Sequence, residues 1–352
     1  MKEFIALDAH KRYSWMEREE IKSCKVWHAR IDHAPGAIRQ SLEGRAKGTA
    51  VAVEATGNWY WIVDEIEQAG LEPKLVHPRK AKLMMGMINK TDKLDAHGLN
   101  QLQRNGTLPT VWIPPRELRD LREITRARMV LTGQRTRLKN RIQATLNKYG
   151  LVPEGEASDP FGKKARLSLE EAVQKLPLQT AQVTEMLLRQ LDFVQKQIEE
   201  LERKIRALVK DTVEMDRLRS LPGIGWILSA VIALEVGEMT RFASAERYAS
   251  YSGTTPRVHA SGDKTRYGRM RTDVNQYLRW AYMEAAHSVS LHCKTYPERQ
   301  VSCLYERIRG RKGHGKAIGA VARHLAEATF HVWRKGEIYR DPGLQQGQSR
   351  EG

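Results

Sequence analysis

Two short apolar runs, each closed by a carboxylate, constrain this fold more tightly than any other feature of the chain. FIALDA (residues 4–9) and TAVAVEATG (49–57) each read as a strand, the first carrying Asp8 and the second Glu54 at its end. KVWHARI (25–31) alternates enough to lie beside them, residues 59–69 read as a helix closed by Gly70, and PKLVHP (73–78) reads as a further strand. Alternation of strand and helix predicts an α/β layer architecture with a mixed sheet. In open sheets of this kind ligand sites gather at strand ends, which is where both acids stand.

The next acids come as a pair. In KTDKLDAHGL (90–99), Asp92 and Asp95 are three residues apart, so a helix would set both carboxylates on one face, where they repel unless a positive charge lies between them. Lys90 and Lys93 allow the plain reading of a solvated helix face. The alternative is a divalent-metal site, and Asp8 and Glu54 supply the further carboxylates it needs. In a ribonuclease-H-type sheet, neighbouring strands present two acids and a helix packed beside the sheet presents the others. Four bare anions would raise one another's pKa values and favour protonation; Mg²⁺, a hard ion that prefers oxygen, relieves that conflict. Two such ions could activate a nucleophile and stabilise the leaving oxygen of a phosphodiester.

The remaining sequence is basic and largely helical. The 352-residue chain sets 59 Lys and Arg against 42 Asp and Glu, a net charge of +17 and a pI of about 9.8, which favours a polyanionic partner, nucleic acid first. No run approaches the ~18 to 20 apolar residues of a spanning helix. MKEFIALDAH lacks the apolar stretch of a signal peptide, so a cytoplasmic protein with no membrane partner is expected. Cys24, Cys293 and Cys303 lie far apart without CxxC spacing, which argues against disulfides and structural zinc. His10, His28 and His33 match no zinc pattern and read as surface or core histidines.

Residues 116–148 read as one long helix with ten Arg or Lys, among them Arg135, Arg137, Lys139 and Arg141, and only three acids. That is too basic for a face that needs only solubility. After a loop at 153–164, Leu187, Leu191, Val194, Ile198, Leu201, Ile205 and Leu208 recur at alternating spacings of four and three. This coiled-coil seam fits equally an antiparallel hairpin with the basic helix or a dimerisation arm. LPGIGWILSA (221–230) sets Gly223 and Gly225 between helical segments, as in a helix-hairpin-helix turn whose N–H groups contact a phosphate backbone without reading sequence. Residues 271–290 and 316–333 read as two helices joined by the basic segment RIRGRKGHGK. The expected organisation is an α/β domain at 1–115, a basic helix and coiled-coil arm at 116–212, a small, mostly helical domain at 213–339 and a disordered tail at 340–352.

ALDAHK (6–11), EATG (54–57) and KTDKLDA (90–96), followed in order by LPGIG, YSGTTPR (251–257), ASG (260–262), YLRWAYMEAA and HGKAIGAVARHL, resemble the signatures of the DEDD insertion-sequence transposases along nearly the whole chain. The resemblance implies a RuvC-like N-terminal domain with Asp8, Glu54, Asp92 and Asp95 as catalytic metal ligands, and a C-terminal transposase domain whose nucleophile is Ser261. It also implies an RNA-guided bridge recombinase, in which a noncoding RNA pairs with donor and target DNA. The acids of one subunit would then approach the serine of a partner in a homodimer or homotetramer. On residue chemistry alone, a serine before glycine in a polar stretch reads as a turn residue. Arg257, Lys264, Arg266, Arg269 and Arg271 would nonetheless surround a scissile phosphate with positive charge. The sequence departs from the family where Thr272 and Val274 stand ahead of Asn275 in place of the usual Lys and Gly, with Arg271 as a candidate substitute for the lysine, and where Ala6 stands for Gly.

Three functions therefore compete. The leading one is a transposase that cuts and rejoins DNA through a phosphoserine at Ser261 with Mg²⁺ assistance. The runner-up is a structure-selective, metal-dependent nuclease of the junction-resolvase type, in which the acids hydrolyse DNA and the serine is a bystander. The third is a coiled-coil nucleic-acid scaffold with a decayed acid cluster. No RNP-type aromatic signature or KH loop is present, so RNA binding rests on the resemblance.

Overall fold

The computed structural model describes residues 3–86, 91–151, 159–262 and 264–342, and the chain divides into two compact units, 1–114 and 115–352. In the first unit the described residues form a five-stranded mixed sheet in the order β3-β2-β1-β4-β5. Its strands are β1 (Glu3–Ala9), β2 (Tyr13–Glu20), β3 (Val26–Asp32), β4 (Ala50–Glu54) and β5 (Glu72–Val76). β1, β2 and β3 pair antiparallel, whereas β4 runs parallel to both β1 and β5. The helices are α1 (Ala37–Ser41), α2 (Trp59–Gln68), α3 (Pro78–Met85) and α4 (Asp92–Arg104).

Side chains two apart along a strand share a face, and the two faces of this sheet are covered by different helices. Ile5, Leu7, Val51 and Val53 pack with Ile62, Val63 and Ile66 of α2. Ala6, Ala52 and Val76 pack on the other face with Leu99 and Leu102 of α4. β1 and β4 are thus buried on both sides, which is why they read as continuous apolar runs. The alternation also places the acids. Asp8 follows Ala6 and Glu54 follows Ala52 by two residues, so both turn toward the face that α4 covers. This mixed α/β architecture is compatible with a RuvC-like fold.

β2 escaped the sequence reading because its inward side chains are polar: Ser14, Glu17 and Glu19 are buried. Each finds a partner, Ser14 with His33 at 2.8 Å, Glu17 with His97 at 3.0 Å and Glu19 with Arg104 at 3.0 Å. A strand buried through Glu17 and Glu19 on one face and Ser14 on the other, with histidine and arginine as partners, carries no apolar alternation to detect.

The second unit opens with α5 (Arg116–Lys148), followed by α6 (Arg166–Gln174) and α7 (Leu178–Leu208). α5 and α7 lie antiparallel, because Arg128 bonds Glu202, Arg135 bonds Gln195 and Tyr149 meets Thr180. Leu191, Val194, Ile198 and Ile205 of the heptad seam are buried in this unit, while Leu208 is 54% exposed. The seam therefore has a partner helix within the chain. Beyond it stand α8 (Val213–Arg219), α9 (Trp226–Val236), α10 (Ala245–Tyr251), a hairpin of β6 (Pro256–Ser261) and β7 (Lys264–Met270), α11 (Gln276–His292), α12 (Gln300–Lys312) and α13 (His314–Lys335). Leu278, Tyr282 and Ala285 of α11 and Val321, Leu325 and Ala326 of α13 anchor the core of this half.

Three expectations are corrected here. The basic segment RIRGRKGHGK is not a linker, because most of it is the end of α12. Residues 271–275 precede α11 rather than belong to it, since the Asn275 side chain accepts from the N–H groups of Tyr277 and Leu278 and so starts the helix. The tail does not begin at 340: Asp341 is 8% exposed and accepts a hydrogen bond from the Gln300 N–H at 2.9 Å, capping α12. Residues 343–352 of that tail, 153–158 of the expected loop and Lys90 of the acidic stretch lie outside the described residues. No helix among the described residues is long and apolar enough to cross a membrane.

Candidate active site

Leu7 of β1 pairs with Val53 of β4, so Asp8 and Glu54 are the next residues along two parallel neighbours and leave the sheet at the same end. α4 begins at that end. Thr91 caps it through a bond from the Leu94 N–H, and Asp92 and Asp95 occupy its first turn, where the helix N-terminus favours anions. Asp8 is 5% exposed. Burial, then the charges of Asp95 and Asp92, push its carboxyl above the ordinary value, while His10 pulls it back. The carboxylates therefore share a common electrostatic field, and it is one that a cation would relieve.

The tightest group in the site includes a residue that the sequence reading dismissed. Ligating atoms of Asp8, His10 and Asp92 all lie within 4.8 Å of one another. The His10 Nε2 stands 3.0 Å from Asp8 Oδ2 and 3.3 Å from Asp92 Oδ1. His10 matches no zinc spacing in the sequence, because such spacings count histidines and cysteines and leave out carboxylates that the fold delivers. Its position two residues after Asp8 was the available signal. Glu54 and Asp95 border the group without belonging to it.

A polar ladder from β2 fixes α4 over the sheet. The Tyr13 hydroxyl donates to Asp92 Oδ2 at 2.7 Å, Glu17 takes His97 Nδ1 at 3.0 Å and Asn100 Nδ2 at 3.2 Å, and Glu19 takes Arg104 at 3.0 Å. The Tyr13 bond holds Asp92 below the usual carboxylate range. It also occupies Oδ2 and leaves Oδ1 toward His10. The Tyr13 ring lies between the His10 imidazole, 4.8 Å between centroids, and the Arg30 guanidinium at 4.1 Å. The Asn58 side chain donates to the His10 carbonyl at 2.8 Å and is itself held by Thr56.

Ser261 stands in a different setting. It ends β6, opposite Lys264, and His259 lies opposite Arg266 on the same face of the hairpin. Arg257, Lys264, Arg266 and Arg269 are all exposed. Gly262 takes φ +56°, the left-handed conformation that lets the chain reverse directly after the serine. Arg271 is instead paired with Asp273 at 2.9 Å, so part of its charge is spent within the chain. The hairpin is anchored at its base: Asn275 donates to Glu235 Oε2 at 2.8 Å, and Glu235, fully buried, takes Arg126 Nε at 2.7 Å. Val274, one of the departures from the family pattern, packs over Gly253, where an added Cβ would come within 2.5 Å of its Cγ2.

The other expected contacts divide. Gly223 has φ +79° and lies so close to α11 that a Cβ would meet the Ala285 carbonyl oxygen at 2.3 Å, so packing alone requires glycine there. Gly225 has open space around it and precedes α9. Arg137 and Arg141 are exposed, whereas Arg135 is bonded to Gln195 and Lys139 to Asp159. Several arginines of α5 are structural: Arg122 is buried and donates to the carbonyls of Leu234 and Glu235.

Comparison with known proteins adds two family matches that follow one another along the chain. Residues 5–151 match a DEDD transposase family of IS110 type, and residues 215–302 match the transposase IS116/IS110/IS902 family. The chain is 26% identical to a probable family 20 transposase of Pseudomonas aeruginosa over 301 residues, 83% of this chain and 86% of that one. It is 25% identical to the transposase for insertion sequence element IS1111A of Coxiella burnetii, covering 82% and 79% of the two chains, and 23% identical to that for IS1328 of Yersinia enterocolitica, covering 82% and 85%.

Proposed function

The chain belongs to the IS110/IS116/IS902 family of transposases, and on that premise we propose that it cuts and rejoins the DNA of a mobile insertion sequence through a phosphoserine at Ser261, with a divalent cation held by the N-terminal acids. The observation that carries the reading is the convergence of Asp8 and Asp92, from a strand end and a helix N-terminus, beside Glu54 and Asp95. A buried carboxylate whose pKa is raised by burial and by neighbouring aspartates fits a cation better than any role in stability. Asp8 and Asp92, bordered by Glu54 and Asp95, would hold it. Bound there, Mg²⁺ or a similar ion supplies charge stabilisation at a phosphoryl oxygen and lowers the barrier to displacement.

The serine step balances without an external energy source. Ser261 Oγ forms a bond to phosphorus, its proton leaves to a base, and the bond to the departing deoxyribose oxygen breaks as that oxygen gains a proton. The freed hydroxyl of a second strand end later attacks the phosphoserine, restoring the diester and the serine. Lys264, opposite Ser261, and Arg266, two pairs further and on the same face, supply positive charge for the phosphate. Arg257, Arg269, Arg137 and Arg141 extend the basic surface along DNA. Guidance by a noncoding RNA, a homodimer or homotetramer as the working assembly, and action in the cytoplasm complete the proposal.

The test is a junction PCR on cells carrying the gene with its native flanking DNA, wild type against Ser261→Ala. Rejoined element ends with wild type only support the proposal. Junctions that persist in the mutant remove Ser261 from the mechanism, and free ends without a covalent protein–DNA adduct point to hydrolysis.

A further inference from the structure

We infer that His10 is a direct ligand of the catalytic cation through Nε2, which makes the site a mixed carboxylate and imidazole centre that takes a first-row transition ion, Mn²⁺ among them, in preference to Mg²⁺. The inference rests on reading the acids as a metal site.

The spacing of the donors is the first argument. With metal–ligand bonds of about 2.1 Å, adjacent ligands on an octahedron stand about 3.0 Å apart. His10 Nε2 lies 3.0 Å from Asp8 Oδ2 and 3.3 Å from Asp92 Oδ1, close to two such edges meeting at the imidazole nitrogen. The second argument is that the imidazole is held rather than loose. Its ring stacks on Tyr13, its carbonyl takes the Asn58 amide, and its backbone N–H donates to the Tyr13 carbonyl at 2.9 Å. Asn58 is in turn oriented by Thr56, two residues beyond Glu54 on the same strand end. Metal-ligating histidines are characteristically fixed by such outer partners. The third is the division of labour at Asp92: Tyr13 occupies Oδ2, so the oxygen facing His10 is the one left to ligate. An imidazole in the donor set discriminates between ions, because Mg²⁺ strongly prefers oxygen, whereas later first-row ions gain affinity from nitrogen. The competing account makes His10 only a hydrogen-bond partner of Asp8.

The two accounts separate by pulsed electron paramagnetic resonance on the full-length protein loaded with Mn²⁺ alone. Direct ligation predicts ¹⁴N hyperfine coupling from an imidazole in wild type and its loss in His10→Gln. Mn²⁺ affinity should weaken at least tenfold in the variant, with a smaller change for Mg²⁺. Circular dichroism checks that the variant is folded, and the wild-type spectrum decides the question without it. Bound Mn²⁺ with no ¹⁴N coupling, or coupling that survives in His10→Gln, overturns the assignment while leaving the acids as a metal site. Failure of wild type to bind Mn²⁺ or Mg²⁺ at all overturns both readings.

Discussion

The acid cluster and the serine hairpin carry the two halves of the proposed chemistry, and they are built in opposite ways. Asp8 is buried, His10 is stacked and held, and Asp92 is tied to β2 by Tyr13. Every donor has a neighbour that limits its motion. Ser261 stands on a two-stranded ribbon whose residues 257–269, where described, are exposed, and only the base of that ribbon is anchored, through Asn275 and Glu235. Isolated two-strand hairpins are marginal in water. The difference teaches which parts of the proposed chemistry would be preorganised: the fold assembles the acid cluster, whereas the proposed nucleophile would depend on its substrate or a partner for precise placement.

Substitutions with the largest effect should therefore agree in activity and part company in everything else. Asp8→Asn and Ser261→Ala are each expected to lower strand joining by about 10³-fold or more, since a unit loses nearly all its rate when one member is removed. Ser261→Ala should keep wild-type cation affinity and melting temperature, while Asp8→Asn loses the melting shift that Mn²⁺ produces. A Ser261→Ala protein that no longer binds cation would break the comparison.

Stability is the next contrast. Glu17 is fully buried and accepts from His97 and Asn100, so Glu17→Ala strands two donors and opens a cavity. The cost should be about 3 kcal/mol, read from denaturant unfolding. α4 would lose its register over the sheet, and cation affinity would fall with it.

Tyr13→Phe removes one hydroxyl and keeps the ring that stacks on His10. The expected loss is about 10- to 100-fold in cation affinity by calorimetry, the usual cost of an outer-shell partner, with the fold retained. An unchanged affinity would mean that α4 is placed by Glu17 and Glu19 alone.

The pH dependence has a definite sign. Burial and the neighbouring aspartates raise Asp8 above its ordinary value, so the folded protein binds that proton more readily than the unfolded chain does. Without cation, stability falls as pH rises through the interval between the unfolded and the raised folded pKa. Asp8→Asn removes that cost, and its cation-free melting temperature at pH 7 should exceed that of wild type. A lower melting temperature would show that the carboxylate is stabilising as well as functional.

How much of this was legible in the sequence follows from the same contrast. β1 and β4 could be read because both their faces are apolar, and with them came Asp8 and Glu54. The pair Asp92 and Asp95 was legible from helical spacing. β2 was not, because Ser14, Glu17 and Glu19 face inward and their partners, among them His97, Asn100 and Arg104, lie up to 85 residues away. His10 stands beside Asp8 in the sequence, but Asp92, the second carboxylate at its imidazole, arrives only on folding. The heptad seam announced a helix pair, yet whether the partner lay in the same chain waited on contacts such as Arg128 with Glu202. The hairpin gave no periodic signal, because neither face is buried, and Ser261 was found by resemblance alone.

That exposure supports the smallest of the predicted effects. Val258 and Tyr267 are cross-strand partners on the face opposite Ser261, 56% and 71% exposed. A pair that buries little has little to lose, so Val258→Thr and Tyr267→Ser should each change unfolding free energy by less than about 0.5 kcal/mol. Gly268 differs, because a Cβ there would meet the His259 ring at 3.6 Å, ordinary contact, and alanine should also be accepted. Denaturant unfolding of the free protein measures all three. A loss above about 2 kcal/mol at Tyr267 would mean that the hairpin packs against something before it meets DNA, and the nucleophile would then be as firmly placed as the cation.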